Sequence, residues 1–247
     1  MLYTNVFIDA FGYELAPNII TSDDIEARLE PVYKALHFQK GQLEALTGIR
    51  ERRFWDPGYP MHEGAIKAGQ KAIDASHVRP EKIGMLIYGG VCRDNLEPAT
   101  ACAVSNGLGL GPKTQIYDVS NACLGVLNGM IQTANAIALG QIEAGLVVSC
   151  ESARQIIDFT IERLLEAKDM DLFKQTIATL TGGSGAVAVL LTDATVSNTG
   201  HRLLGAVVRN STAYHKLCRW GPDTGIPASG PHVMQTDSVG VLQHGVA

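Results

Sequence analysis

The sequence predicts an α/β protein in which helices cover both faces of a largely parallel sheet. Two observations carry this. Mostly apolar runs at residues 83–91, 144–150 and 186–191 have the composition of strands buried on both faces. Between and around them, residues 61–77, 99–108 and 124–139 show helical spacing, so strands and helices alternate. With 247 residues, 46% of them hydrophobic and 18% charged, the chain can bury the core of one large or two small domains.

In order along the chain, residues 6–15 read as a strand. Thr21-Ser22-Asp23-Asp24 then opens a helix, a hydroxyl cap followed by acids suited to the first turn. Residues 47–58 are a glycine- and proline-punctuated connection, and 61–77 return to helix through Ile66, Ala68, Ala72 and Ile73. The strand at 83–91 leads to Pro98, which suits the first position of a helix over 99–108. A short strand at 115–119, a helix at 124–139, a strand at 144–150 and helical segments over 153–180 follow. Gly182, Gly183 and Gly185 form a turn feeding a last apolar strand that ends at Leu191.

Beyond Asp193 the pattern restarts, with 203–210 as a strand answering 6–15, a polar Gly/Pro-rich stretch at 220–231, and helical turns from Asp237 that end without a cap. The expected organisation is a first half over 1–195 and the incomplete beginning of a second over 196–247, which makes the chain read as a fragment.

A net charge of −5 without any dense Lys/Arg run argues against nucleic acid or an anionic membrane as principal partner. The N-terminus has no signal-peptide pattern and no apolar run reaches the roughly 18 residues of a membrane span, so the expected location is the cytoplasm. The five cysteines are widely spaced with no CxxC or CxxH pair; neither a disulfide framework nor a metal site is expected.

One of those cysteines stands apart. In Tyr117-Asp118-Val119-Ser120-Asn121-Ala122-Cys123-Leu124-Gly125, Cys123 falls between the end of a strand and the start of a long helix. Backbone N–H groups and the helix dipole at such a place favour a thiolate, and the small neighbours Ala122 and Gly125 leave room for a thioester carbonyl. The arrangement follows the logic of a nucleophile elbow without being G-x-S-x-G. From residue type alone, a cysteine is more often a small core hydrophobe.

The segment 118–125, with Thr47-Gly48-Ile49-Arg50-Glu51-Arg52 before it and Gly182-Gly183-Ser184-Gly185-Ala186 after it, resembles the ketoacyl synthase III branch of the thiolase superfamily. Residues 91–98 (VCRDNLEP), 123–129 (CLGVLNG), 162–164 and 216–219 are most similar to the acyl-CoA condensing enzymes of bacterial olefin synthesis. The resemblance implies a thiolase fold of αβαβα layers, of which this chain would hold the N-terminal half and the beginning of the second. It implies a homodimer and a Claisen-type condensation: Cys123 takes an acyl group from a thioester, and a second acyl-CoA attacks it after losing an α-proton. Glu97 matches the glutamate that removes that proton from the neighbouring subunit.

Other readings of these residues stay open at this point. An acid before Pro98 also complements a helix dipole. The three glycines are structural and lack the Lys-Ser/Thr continuation of a phosphate loop. Arg50 and Arg52 are candidate contacts for the phosphates of coenzyme A, or simply part of an exposed basic loop. The tryptophan that ketoacyl synthase III members place five residues before the motif threonine is Gln42 here, and Trp55 takes no assigned role. None of the seven histidines fits the family's catalytic histidine: His232 reads as loop and His244 as a solvated helix residue. The missing second-half histidine and asparagine make the chain as given incomplete for condensation. No permanently bound cofactor is expected, with coenzyme A thioesters as substrates. The alternatives are a ketoacyl synthase III reaction using an acyl-CoA and a malonyl acyl carrier protein, a non-catalytic thiolase-fold subunit, or a cysteine hydrolase.

Overall fold

The computed structural model describes residues 1–222 and 232–245. The first third of the chain forms β1 (Phe7–Leu15), β2 (Asn18–Thr21), α1 (Ser22–Arg28), α2 (Glu30–Ala35), α3 (Gln42–Thr47), β3 (Glu51–Phe54) and α4 (Met61–Ser76). Then come β4 (Ile83–Tyr88), α5 (Thr100–Gly107), β5 (Gln115–Asp118), α6 (Gly125–Ala138) and β6 (Ala144–Glu151). The remainder gives α7 (Arg154–Ala167), α8 (Met170–Thr176), β7 (Gly185–Thr192), β8 (Cys218–Pro222), β9 (His232–Thr236) and α9 (Ser238–Gly245). The chain divides into two units whose segments interleave.

Residues 1–16, 56–152 and 185–207 make the first unit. Its five-stranded sheet has the order β1-β7-β6-β4-β5. β4 pairs parallel with β5 and β6, whereas β7 runs antiparallel to both β6 and β1. The sheet is therefore mixed rather than largely parallel. An antiparallel neighbour needs no right-handed crossover, so the pairing of β7 with β6 places no such demand on the segment between them.

Alternation along β6 sends Leu146 toward Gly69 of α4 and Val147 toward Gly129 of α6, so the two helices cover opposite faces. On the α6 face, Met85, Ile87, Val147, Val189 and Leu191 pack with Ala134 and Ile137. The approach is close enough that a Cβ on Gly145 would stand 2.4 Å from the Thr133 methyl. Residues 203–210 do not form the strand expected of them. Among the described residues they contribute one bridge, Leu2 to Gly205, with Arg202 bridging Phe7 just before.

Residues 17–55, 153–184 and 208–247 belong to the second unit. The expected cap at Thr21 is a full capping box: its hydroxyl accepts from the Asp24 amide while the Asp24 carboxylate accepts from the Thr21 amide. The connection at 47–58 contains β3, which pairs antiparallel with β2. The helical stretch 153–180 breaks at Lys168, whose φ is 48°, and restarts with Asp169 capping α8. Ile25, Leu29, Leu43, Phe54, Ile157, Ile161, Leu164 and Phe173 fill this unit's core. Glu26 is buried there and accepts from the Tyr33 hydroxyl and the Gly41 and Leu43 amides. The stretch expected as loop at 220–231 begins inside β8; residues 223–231 lie outside the described residues. His232 starts β9 rather than lying in a loop.

Candidate active site

Cys123 sits where β5 gives way to α6, on a single 3₁₀ turn, Ala122–Leu124. The preceding residue, Ala122, has φ 46° without being glycine, a conformation that costs on the order of 1–3 kcal/mol and must be held by its surroundings. The holding contact is visible. Gly125, the first residue of α6, lies against Gly89 just past β4, so that a Cβ on Gly125 would fall 2.8 Å from the Gly89 carbonyl oxygen. The sharp turn and the pinned helix start leave Cys123 exposed, not buried as a structural cysteine would be. No side chain caps the first turn of α6, so its amides and dipole face the segment that carries the sulfur.

Glu97 is exposed on the connection from β4 to α5, next to Leu96, which is 85% exposed. Pro98 follows a cis Glu97–Pro98 bond and stands two residues ahead of α5 instead of at its first position. Three carboxylates fasten this connection. Glu151 accepts from the Val91 and Cys92 amides at 2.7 and 3.1 Å. Asp94 accepts from the Met61 and His62 amides at the start of α4 and from the His62 ring. Asp118, at the end of β5, accepts from the Thr100 and Ala101 amides at 2.9 Å and lies 3.8 Å from the Arg93 guanidinium. Below them the Tyr88 hydroxyl donates to the Cys92 and Cys150 carbonyls. Burial, with the nearby Cys150 and Glu151, pushes the Tyr88 phenol well above its ordinary range; burial, with the Glu151 carboxylate, does the same for the Cys92 thiol.

In the second unit, Arg50 is exposed just before β3. Arg52 is 5% exposed: its guanidinium donates to the Ser22 hydroxyl and the Ile20 carbonyl, and burial pulls its pKa below the usual arginine value. Trp55 is buried. Gln42 lines a groove of about 1150 Å³ with an apolar floor that includes Phe38, Leu46 and Phe173 and cations Lys174, Lys216 and Arg219. Asp237 lines it too, with one carboxylate oxygen accepting from the Gly240 amide.

Cys150 is buried and Cys92 half-buried, while Cys102 and Cys218 are exposed. His244 is exposed on α9 and stacks on Tyr214 at 4.2 Å. Among the described residues no group of three or more His, Cys, Asp or Glu could hold a metal ion, and no helix is long and apolar enough to cross a membrane. The fastening carboxylates and the groove cations escape a reading of the sequence, because their roles arise from contacts between segments remote in the chain.

The mixed sheet, the turn at Ala122 and the cysteine at the head of α6 fit the thiolase superfamily of acyl-transferring enzymes, the class that the relatives of this chain show. Residues 117–211 match the family described as 3-oxoacyl-[acyl-carrier-protein (ACP)] synthase III. An acyl-CoA:acyl-CoA alkyltransferase from Shewanella oneidensis is 49% identical over the whole of this chain, which spans 71% of that protein's length. One of the same name from Xanthomonas campestris is 37% identical over 90% of this chain and 66% of its own length. A crystal structure of Xanthomonas campestris OleA superposes over the full chain and 69% of its own, with a TM-score of 0.91 and 34% identity. The chain belongs to the acyl-CoA:acyl-CoA alkyltransferase family.

Proposed function

We propose that this protein condenses two fatty acyl-CoA thioesters through an acyl-cysteine at Cys123. The observation that carries the reading is the exposed Cys123 on a strained turn at the head of α6. In the first step the thiolate attacks the thioester carbonyl, forms an S-acyl bond and releases coenzyme A. In the second, Glu97 takes the α-proton of another acyl-CoA. The resulting carbanion attacks the acyl-cysteine carbonyl, a carbon–carbon bond forms, and the Cys123 thiolate leaves, giving a β-ketoacyl thioester.

Glu97 and Cys123 are 26 positions apart. In Xanthomonas OleA, the glutamate and the cysteine whose variants have been crystallised are separated by the same 26 positions. This equal spacing supports the pairing of roles. The exposed position of Glu97 supports its being offered to the neighbouring subunit of a homodimer. The groove supports a seat for the coenzyme A nucleotide, with adenine on the apolar floor and phosphates toward Lys174, Lys216 and Arg219. Arg50 remains an exposed cation for the same phosphates, while the Arg52 guanidinium is turned to Ser22 and Ile20. Residues 1–195 form the first thiolase-like half in this reading, 196–247 the beginning of the second, and the reaction takes place in the cytoplasm with no permanently bound cofactor.

The match of residues 117–211 to 3-oxoacyl-ACP synthase III favours one second reading, attack by a malonyl acyl carrier protein. Product analysis of the protein isolated at full natural length separates the two. A β-keto product from long-chain acyl-CoA alone supports the first reading, and product only with a malonyl donor supports the second.

A further inference from the structure

We propose that Asp94 and His62 form a clamp that positions Glu97 for proton abstraction, an inference that rests on the reading of Glu97 as the base. Glu97 lies on the β4–α5 connection, and the fastening of that connection is uneven. Its start is tied by Glu151 to the Val91 and Cys92 amides and by the Tyr88 hydroxyl to the Cys92 carbonyl. Its end is tied by Asp118 at the first amides of α5. In between, the short contacts come from Asp94, three residues before Glu97.

One Asp94 oxygen accepts from the Met61 amide at 2.7 Å. The other accepts from the His62 amide at 3.0 Å and the His62 Nδ1 at 2.9 Å. Two of these donors are first-turn amides of α4, a 16-residue helix whose own N-terminal neighbour, Pro60, supplies no side-chain cap. Asp94 is therefore the cap, and the helix is its anchor. α4 in turn packs rigidly on the sheet: a Cβ on Gly12 of β1 would overlap the Ala68 carbonyl oxygen at 1.9 Å. The His62 ring, with Nδ1–H directed at the carboxylate, closes the clamp from the side and fixes the rotamer of Asp94. The Asp94 side chain is 19% exposed and that of His62 33%, so both are partly shielded from competing water. Beyond the clamp, Asn95, Leu96, Glu97 and Pro98 are all exposed, a short tip whose direction is set where Asp94 holds it.

A base acts within hydrogen-bond reach of the proton it removes, and a displacement of about 1 Å can cost up to about 100-fold in rate. Only the second half of the reaction uses Glu97, so the clamp should act on that half alone. The test compares Asp94→Ala, His62→Ala, Asp94→Asn and Glu97→Gln in the protein isolated at full natural length. Two readouts are followed: acylation of Cys123 by intact mass, and loss of α-deuterium from labelled acyl-CoA together with β-keto product formation.

Asp94→Ala should slow deuterium loss and condensation by about 10- to 100-fold while Cys123 acylates at the normal rate. His62→Ala, which leaves both backbone caps in place, should slow the same step less. Asp94→Asn, which keeps an acceptor, should recover most of the rate. Unchanged condensation in Asp94→Ala beside a dead Glu97→Gln overturns the clamp alone, as does an equal fall in acylation and condensation. Full activity in Glu97→Gln overturns the base reading, and the clamp with it.

Discussion

Gly89 and Gly125 meet backbone to backbone: a Cβ on Gly89 would lie 2.7 Å from the Gly125 carbonyl carbon, and one on Gly125 would lie 2.8 Å from the Gly89 oxygen. Gly89 continues the sheet, its amide donating to the Val148 carbonyl, and Gly125 is the first residue of α6. The contact fixes the head of the helix on the end of β4, two residues after Cys123. Gly125→Ala should cost about 1–3 kcal/mol, as overpacking does, and shift the first turn of α6. A lowered melting temperature together with slower alkylation of Cys123 by iodoacetamide is the expected result; an unchanged rate would show that the sulfur does not depend on this contact.

The cysteines should separate by reactivity. Cys123 is exposed at a helix head, whereas Cys150 is buried and the Cys92 thiol is held protonated by burial beside Glu151. At pH 7.5, peptide mapping after brief iodoacetamide treatment should find Cys123 modified and Cys92 and Cys150 intact. Modification of Cys92 at a comparable rate would contradict the site described here.

Stability should fall in alkali. Cys92, Tyr88 and Tyr33 all hold their protons in the fold beyond their ordinary values of 9.0, 10.0 and 10.0. Below those values these three groups are protonated in the folded and unfolded chains alike and add no pH dependence. Above about pH 9 the unfolded Cys92 ionises while the folded one does not, and above about 10 the tyrosines add to this. Each such group removes up to about 1.4 kcal/mol per pH unit. Urea midpoints should be level from pH 7 to 8.5 and decline above it, with a shallower onset in Cys92→Ala.

Charge on the groove should govern substrate affinity rather than chemistry. Replacing Lys216 or Arg219 by alanine should raise the KM for acyl-CoA several-fold, with less effect at high salt, and leave the iodoacetamide rate of Cys123 unchanged. Arg52→Ala should behave differently. Its side chain is buried against Ser22 and the Ile20 carbonyl, so the expected loss is of melting temperature.

Much of the local structure around Cys123 was legible because it is written in neighbouring residues. A strand end, small residues and a helix start around Cys123 are written in consecutive positions, as is the Thr21 capping box. What could not be read depends on partners far apart in the chain. The direction of β7 is seen only in its antiparallel ladders with β1 and β6, remote in the chain, and the β2–β3 ribbon joins segments 30 or more residues apart that carry little alternation. The expected strand at 203–210 has the right composition, yet its place beside Val6 is secured by isolated bonds, from the Leu203 amide to the Val6 carbonyl and from the Tyr3 amide to the Leu204 carbonyl, not by a ladder. Residue type left Arg52 open between a phosphate contact and an exposed basic loop; in the structure its guanidinium is buried and donates to the Ser22 hydroxyl and the Ile20 carbonyl.

The most direct measurement is the intact mass of the protein, isolated at full natural length, before and after exposure to a long-chain acyl-CoA, with Cys123→Ala as control. The account predicts a gain of one acyl group in the parent protein and none in the control. An acyl adduct that persists in Cys123→Ala, or no adduct in either protein, would contradict the assignment of Cys123 as the nucleophile.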